Sequence, residues 1–356
     1  MIALFFLLIK LYTLSITQKI RGKNMNETIN FDTNVIDEKA RKKAFRKAVG
    51  YMGWGLLLYE LIEQVATTIM SYIGLYNSST DWRSMNEEEY SAFIDDFYEL
   101  GPGGMISCIT VLIGIAFLCL YFRKRVSFKD IFSTQKKMLP ASFGMILSVF
   151  LGIQWITDPL FLSMENAFNQ IGLSIETSMD DASSGALTLS MLMYSAILAP
   201  LVEELIYRGF VLSTLKKFGK LYAIVISALL FGIMHANLPQ AVYAFLVGLL
   251  LGYVAVEYSI RWTILLHVIN NSLADLLYYI GQNLSDELNT VLFYSIFGVS
   301  CVIGVFVIIK KRLGIRDYIK KNSFAPSTFF RTFTLIGLML FIILNMYMAI
   351  SMIEKI

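Results

Sequence analysis

The stretch from residue 198 to residue 212, LAPLVEELIYRGFVL, places two carboxylates and a guanidinium inside an apolar run. A charge at the centre of a bilayer costs roughly 2.5–3.5 kcal/mol on insertion scales, so charged residues at that depth call for an explanation. Glu204 and Arg208 share a helix face and can neutralise each other. Glu203 is rotated by about 100° from that face and has no partner nearby in the sequence. We interpret Glu203 as the reactive carboxylate and predict that Pro200 kinks the helix beside it.

The chain has two histidines, and both lie in further apolar runs. FGIMHAN places Phe231 and His235 on one helical face, and LLHVINNSLAD does the same for His267 and Asn271. A carboxylate and two imidazoles can activate water, with Glu203 as general base and His235 orienting the water or protonating a leaving amine. His267 and Asn271 can donate hydrogen bonds to a developing oxyanion. One glutamate and two histidines also suit a catalytic zinc, so zinc stays open as a cofactor. Both versions predict hydrolysis of an amide bond at membrane depth.

Composition indicates the environment of these residues. Of 356 residues, 56% are hydrophobic and 16% are charged, whereas soluble domains carry about 25% charged residues. The charges cluster between apolar runs, and a helix of about 20 apolar residues spans the hydrocarbon core. We predict an all-α, polytopic transmembrane helical bundle, with an extra N-terminal hydrophobic helix as an open alternative for residues 1–24. The predicted core spans are 50–76, 103–122, 139–163, 187–211, 219–236, 239–258, 262–282, 291–309 and 330–352.

Basic and acidic loops alternate along the chain. The loops at 77–102 and 164–186 are acidic or neutral, whereas every second loop is basic, beginning with KARKKAFRK at 39–47. The positive-inside rule places the basic loops in the cytoplasm and the acidic loops outside. Membrane topology therefore explains the basic clusters without a nucleic-acid partner, and contact with anionic lipid is a lesser addition.

Three motifs follow one another in a fixed order. They are E-E-x-x-x-R at 203–208, F-x-x-x-H at 231–235 and H-x-x-x-N at 267–271, with the glycine-containing FLVGLLLGYV at 245–254 between the last two. This ordered set resembles the CPBP family, the CaaX-protease and bacteriocin-processing (Abi) intramembrane peptidases. The resemblance covers roughly residues 195–275. It implies proteolysis by the residues that match the family motifs, and leaves metal ligands unassigned. The candidate site residues are Glu203, Glu204, Arg208, His235, His267 and Asn271.

The motifs divide the chain into four predicted regions. Residues 1–49 are an N-terminal hydrophobic segment and a basic cytoplasmic region, and residues 50–186 are accessory transmembrane helices with an acidic extracytoplasmic loop. Residues 187–284 are the CPBP-like catalytic core, and residues 285–356 are C-terminal transmembrane helices. The resemblance implies a multi-pass protein of the cell membrane that acts on membrane-embedded or membrane-associated polypeptides. The residue usage looks bacterial, which argues against prenylated substrates. The resemblance to bacterial members of the family implies processing of bacteriocins or pheromones, or self-immunity.

Two other functions stay open on the sequence. The chain can be a catalytically silent membrane scaffold, regulator or immunity protein. It can also be a transporter, since intramembrane charged residues mark ion pathways as well. A buried ion pair that only fixes helix packing explains Glu204 and Arg208, but it does not explain Glu203. For Glu60 and Glu63, which share a face of the first core span, packing or interface positions are favoured.

Overall fold

The computed structural model describes residues 31–78, 81–99, 101–183 and 186–356. The chain divides into two compact units, residues 1–44 and residues 45–356. The predicted N-terminal hydrophobic segment, residues 1–24, lies outside the described residues. Helix α1 begins in the first unit and continues through the second, from Phe31 to Tyr76.

The elements before the candidate site are helical apart from one short strand. In chain order they are α1, a 3₁₀ turn Trp82–Ser84, α2 Glu87–Glu99, α3 Gly103–Phe122, α4 Phe128–Ile131, α5 Pro140–Asn169, β1 Leu173–Ser174 and α6 Glu176–Ser183.

The next elements carry all the candidate site residues. They are α7 Leu189–Met193, a π-helix Tyr194–Leu198, α8 Ala199–Glu204, a second π-helix Leu205–Val211, α9 Leu212–Leu215, a 3₁₀ turn Lys216–Phe218, α10 Lys220–Ile233, α11 Leu238–Glu257 and α12 Ile260–Gly281. The chain ends with α13 Asp286–Phe293, a π-helix Tyr294–Gly298, α14 Val299–Lys321, α15 Pro326–Thr332, α16 Ile336–Ser351 and β2 Glu354–Lys355.

The predicted all-α membrane bundle is confirmed, and all nine predicted segments fall on helices. Among the described residues, five helices are long and apolar enough to cross a membrane, or six if the pair α15 and α16, bent by 74°, is one span. The other predicted segments are either too short or not apolar enough to be counted among these membrane-crossing helices. Helix α10 has only 14 residues, which is short for a ~30 Å hydrocarbon core, while α1 and α12 carry charged and amide side chains that lower their hydropathy.

Several basic segments meet at one end of the bundle. Lys220 Nζ lies 2.8 Å from Glu257 Oε1, and the Tyr318 hydroxyl donates to the same oxygen at 2.9 Å. The Lys136 ammonium lies 5.7 Å from the centroid of the Tyr258 ring. The loops after α4, α9 and α11 and the end of α14 therefore lie together, as the alternation of loop charge predicts.

The opposite end gathers the acidic and neutral segments. Strands β1 and β2 pair antiparallel, with Leu173 opposite Lys355. Beside them the Asn237 amide donates to the Ser178 carbonyl at 2.7 Å. The loop at 164–186, the turn between α10 and α11 and the last residues of the chain therefore share this end.

Helices α10 and α11 pack closely because α11 has glycines on the contact face. A Cβ added at Gly248 would lie 3.1 Å from the Ala228 Cα, and one at Gly252 would lie 3.1 Å from the Ile224 Cγ2. Small residues spaced four apart allow such an approach of two backbones. This packing fixes α10, which carries the second motif, against the glycine-containing helix α11.

Candidate functional site

The helix that carries Glu203 and Glu204 changes type on both sides of them. A π-helix precedes α8 and a second π-helix follows it. Pro200 lies where the first π-helix passes into α8, and its missing N–H removes one hydrogen bond from the continuous helix. Short π-helical turns inside α-helices occur frequently at functional sites. The predicted effect of Pro200 therefore takes the form of a local change in helical winding beside the two carboxylates.

Glu204 is fully buried and belongs to an ion pair. Its Oε1 lies 2.9 Å from Arg208 Nη1, and both side chains have 0% exposure. The Arg208 guanidinium lies 4.2 Å from the centroid of the Phe231 ring, and its Nη2 donates to the Gly248 carbonyl at 3.4 Å. Removal of either partner alone would leave an uncompensated charge in this interior.

His267 lies between the two adjacent glutamates. Its Nδ1 is 3.0 Å from Glu204 Oε1, whereas its Nε2 is 3.7 Å from Glu203 Oε2. The Arg208-paired Glu204 is an acceptor, so the ring proton resides on Nδ1. In the neutral ring, Nε2 then presents its lone pair towards Glu203. A separation of 3.7 Å is too long for a direct hydrogen bond, and it is a distance that a water molecule can bridge.

The two glutamates therefore differ in their surroundings. The Glu203 side chain retains 17% exposure, compared with 0% for Glu204. Glu204 forms an ion pair with Arg208 and accepts a hydrogen bond from His267. Glu203 makes no such short contact within the described part of the chain. The carboxylate that the sequence singled out is thus the one accessible to a small molecule.

His235 lies in the turn that follows α10 and not within the helix. The helix ends at Ile233, so the predicted span to residue 236 is too long. Ala236 has a φ of 50°, the left-handed conformation that turns the chain into α11. His235 Nδ1 bonds to the Phe231 carbonyl at 2.8 Å, as expected for residues four apart. The Phe231 ring contacts both imidazoles, with centroid distances of 5.0 Å to His235 and 5.7 Å to His267.

Asn271 contacts the backbone of the first π-helix. Its Nδ2 donates to the Ser195 carbonyl at 3.0 Å, and its Oδ1 accepts from Asn270 Nδ2 at 3.2 Å. In the described residues its amide makes no direct bond to either imidazole or to Glu203. Polar contacts thus connect Glu203, Glu204, Arg208 and His267 with one another. His235 is connected to this group through the Phe231 ring, and Asn271 is connected to the helix of the two glutamates through the Ser195 carbonyl.

Asp275 also bonds to Ser195, although it belongs to none of the three sequence motifs. Its Oδ2 accepts from the Ser195 hydroxyl at 2.7 Å, and its Oδ1 accepts from the Ala186 backbone N–H at 3.1 Å. The side chain is buried, with 6% exposure. His267, Asn271 and Asp275 are spaced four apart, so all three share one face of α12. That spacing is the signal in the sequence from which a role for Asp275 could be predicted.

Glu63 of α1 also approaches the site, although its sequence context favours a packing position. It lies within electrostatic range of Glu203. Helix α1 lies outside the region of the family resemblance. The accessory region therefore contributes a second carboxylate to the surroundings of Glu203.

The zinc alternative does not fit this arrangement. Among the described residues, no group of three or more histidine, cysteine, aspartate or glutamate side chains is placed to hold a metal ion. We therefore derive no chemical step through a metal.

Comparison with known proteins identifies one matching family. Residues 185–273 match the family model described as type II CAAX prenyl endopeptidase, Rce1-like. No curated protein and no solved structure matches the chain. The resemblance to the CaaX-protease family is confirmed over this segment, which contains all six candidate residues and ends just before Asp275.

Proposed function

We propose that this chain is an intramembrane endopeptidase in which Glu203 activates the attacking water. One observation carries the proposal: His267 Nε2 faces Glu203 Oε2 at 3.7 Å, while the neighbouring Glu204 is held by Arg208 and His267 Nδ1. The family match supports proteolytic activity in general, and the apolar helices support a multi-pass membrane protein.

In the proposed reaction, a water molecule bridges Glu203 and His267. One water proton is directed to Glu203 Oε2 and the other to His267 Nε2, so the oxygen lone pairs face the substrate carbonyl. Glu203 takes a proton as the oxygen attacks the carbonyl carbon. Glu204 accepts from Nδ1 and holds the imidazole in the tautomer that leaves Nε2 free, a positioning role strengthened by the charge of Arg208.

The remaining two residues act on the oxyanion and on the leaving group. Asn271 uses one N–H on the Ser195 carbonyl, and its second N–H serves the oxyanion, for which a well-placed donor contributes roughly 3–4 kcal/mol. His235 is fixed through Nδ1. Its Nε2 therefore carries a lone pair, which accepts the proton that Glu203 took from the water and passes it to the leaving amine, so that both side chains return to their starting protonation.

The substrate in this proposal is a membrane-embedded or membrane-associated polypeptide in a bacterial plasma membrane. The matched family is named for prenylated CAAX proteins. The residue usage of this chain instead looks bacterial, and the resemblance to bacterial members of the CPBP family supports peptide substrates such as bacteriocin or pheromone precursors, or a role in self-immunity. The site is formed by helices and lies within the apolar part of the chain, so the scissile bond has to reach it from the lipid phase or along a helix surface.

A proteomic comparison of membranes tests the proposal. Cells carry the wild-type chain, Glu203→Gln, or the matched control Glu60→Gln, each adjusted to the same membrane level. Glu60 is an intramembrane carboxylate that bonds to Gln64 within α1. We expect new peptide termini in wild type and in the control that are lost with Glu203→Gln. An identical set of termini in all three membranes would contradict the proposed function.

A further inference from the structure

Two neighbouring clefts lie at the basic end of the bundle. Their volumes are about 540 Å³ and about 250 Å³, and Tyr51 and Arg125 line both. The clefts bring together the start of the α1 core segment, the end of α3 and the end of α9, which includes Ser213. They lie apart from the candidate site and are formed mostly outside the family-matched segment.

The walls of the clefts are strongly cationic. Five basic side chains line them, namely Lys47, Arg123, Lys124, Arg125 and Lys217, and no aspartate or glutamate does. Within the described ranges none of the five forms an ion pair with a carboxylate, whereas Lys220 nearby is paired with Glu257. Unneutralised like charges in a concave site repel one another and concentrate anions there.

The aromatic side chains hold the site in a fixed shape. The Arg125 guanidinium lies 3.8 Å from the centroid of the Tyr51 ring. Tyr51 stacks on Tyr121 with centroids 4.2 Å apart, and the two tyrosines exchange hydroxyl-to-carbonyl hydrogen bonds. A guanidinium held flat on an aromatic ring presents its donors in a preorganised fork, the geometry that suits phosphate oxygens.

The position of the clefts relative to the apolar helices indicates the source of the phosphate. Leu120, which lines the larger cleft, is 63% exposed and belongs to the last turn of the apolar helix α3. Arg123 follows the end of that helix. The cleft therefore opens where an apolar, lipid-facing surface meets a basic loop, which is the depth of phospholipid headgroups. Basic pockets between transmembrane helices bind anionic headgroups on the cytoplasmic side.

We propose that these clefts bind the phosphate-bearing headgroup of an anionic phospholipid, whose acyl chains run along the Leu120 face of α3. The bound lipid bridges three segments: α1, the end of α3 and the end of α9, which continues the helix that carries Glu203. Anionic lipid thus stabilises the attachment of the accessory helices to the matched core.

Native mass spectrometry of the full-length chain, with phosphatidylglycerol or phosphatidylcholine as the added lipid, tests this site. The test variant is Arg123→Gln/Arg125→Gln. The matched control is Arg312→Gln/Arg316→Gln on α14, which removes the same charge from exposed positions on another basic segment. We expect the wild-type chain to bind phosphatidylglycerol more tightly than phosphatidylcholine. The affinity for phosphatidylglycerol should fall roughly 30-fold in the test variant and change less than about 3-fold in the control variant.

Three outcomes would overturn the proposal. Equal loss in both arginine variants would indicate diffuse surface attraction, and equal binding of the two lipids would remove the headgroup requirement. Inorganic phosphate or glycerol phosphate that protects the protein from thermal unfolding as well as phosphatidylglycerol does would identify a soluble ligand instead. If the arginine variant fails to fold, Lys47→Gln/Lys217→Gln replaces it, because both lysines are exposed; the same roughly 30-fold loss is expected.

Discussion

The family-matched core, residues 185–273, and helix α14 both have the apolar composition of membrane-embedded segments. They differ in whether their polar side chains are buried or exposed. In the core and directly after it, Glu204, Arg208, His267 and Asp275 are all buried and bond across helices. In α14 the charged residues gather in the last part of the helix and are exposed, while Val302 and Phe306 present 72% and 62% of their surface outward. Hydropathy assigns both regions to the membrane, and the candidate site lies in the region where polar groups are buried at an energetic cost.

The largest expected effect of breaking this arrangement concerns the Glu204–Arg208 pair. Glu204→Gln or Arg208→Met alone leaves one uncompensated charge in a fully buried position, which typically costs about 3–5 kcal/mol of stability. The double variant Glu204→Gln/Arg208→Met should recover much of that loss. Thermal or denaturant unfolding in detergent measures it, with Arg312→Gln on α14 as the exposed control, expected within about 0.5 kcal/mol of wild type. A double variant no more stable than the worse single one would refute the coupling.

Two glycine substitutions should separate the regions by the sign of their effect. A methyl group at Gly248 would meet Ala228 at 3.1 Å and Arg208 Nη2 at 3.3 Å, so Gly248→Ala should destabilise the protein by about 1–3 kcal/mol. Gly314 in α14 has nothing within 4 Å of an added Cβ. There Gly→Ala should be neutral or stabilise by about 0.5–1 kcal/mol, because a helix-interior glycine costs that much relative to alanine. Equal melting temperatures for the two variants would argue against close packing at Gly248.

A smaller effect is expected from Asp275→Asn, which leaves one of two buried donors, Ser195 Oγ or Ala186 N–H, without a carboxylate oxygen. Stability should fall by about 1–3 kcal/mol. Because Ser195 is also held by Asn271, the site should loosen and kcat should drop about 10-fold with little change in KM. Asp317→Asn, an exposed change on α14, is the control.

A double-mutant cycle of Asp275→Asn with Ser195→Ala then tests whether the two residues act together. We expect a coupling energy of at least about 0.5 kcal/mol. Additive losses would mean that Asp275 acts only through local packing and not through Ser195.

The smallest expected effect is that of metal removal. Since the described residues contain no cluster that could hold a metal ion, strong chelators should leave the rate of peptide cleavage unchanged. Stoichiometric zinc in active, purified protein, or loss of activity that zinc restores, would contradict this expectation.

Much of the site is predictable from the sequence because helical periodicity is a local property. The four-residue spacing predicts the Glu204–Arg208 pair and the Phe231–His235 contact directly. The energetic cost of burying Glu203 without a local partner singles out that carboxylate from residue types and spacing alone. The glycine spacing in α11 likewise predicts close packing against a neighbouring helix.

Other features depend on contacts that the sequence does not display locally. The π-helical turns on both sides of α8 have no signature in residue type. The partners of Asp275 are 80 and 89 positions away in the sequence, and the approach of Glu63 to Glu203 joins the accessory and core regions. Each of these requires the tertiary fold.

The measurement that tests the central claim most directly is peptide-bond cleavage by the purified full-length chain in lipid vesicles, comparing Glu203→Gln with Glu204→Gln. The peptide contains a cleavage site identified from wild-type membranes. We expect Glu203→Gln to lower the rate at least about 100-fold, the contribution of a general base, while its unfolding temperature stays that of wild type. Glu204→Gln should instead lower the unfolding temperature. Cleavage at the wild-type rate by Glu203→Gln would contradict the assignment of Glu203 as the group that activates water.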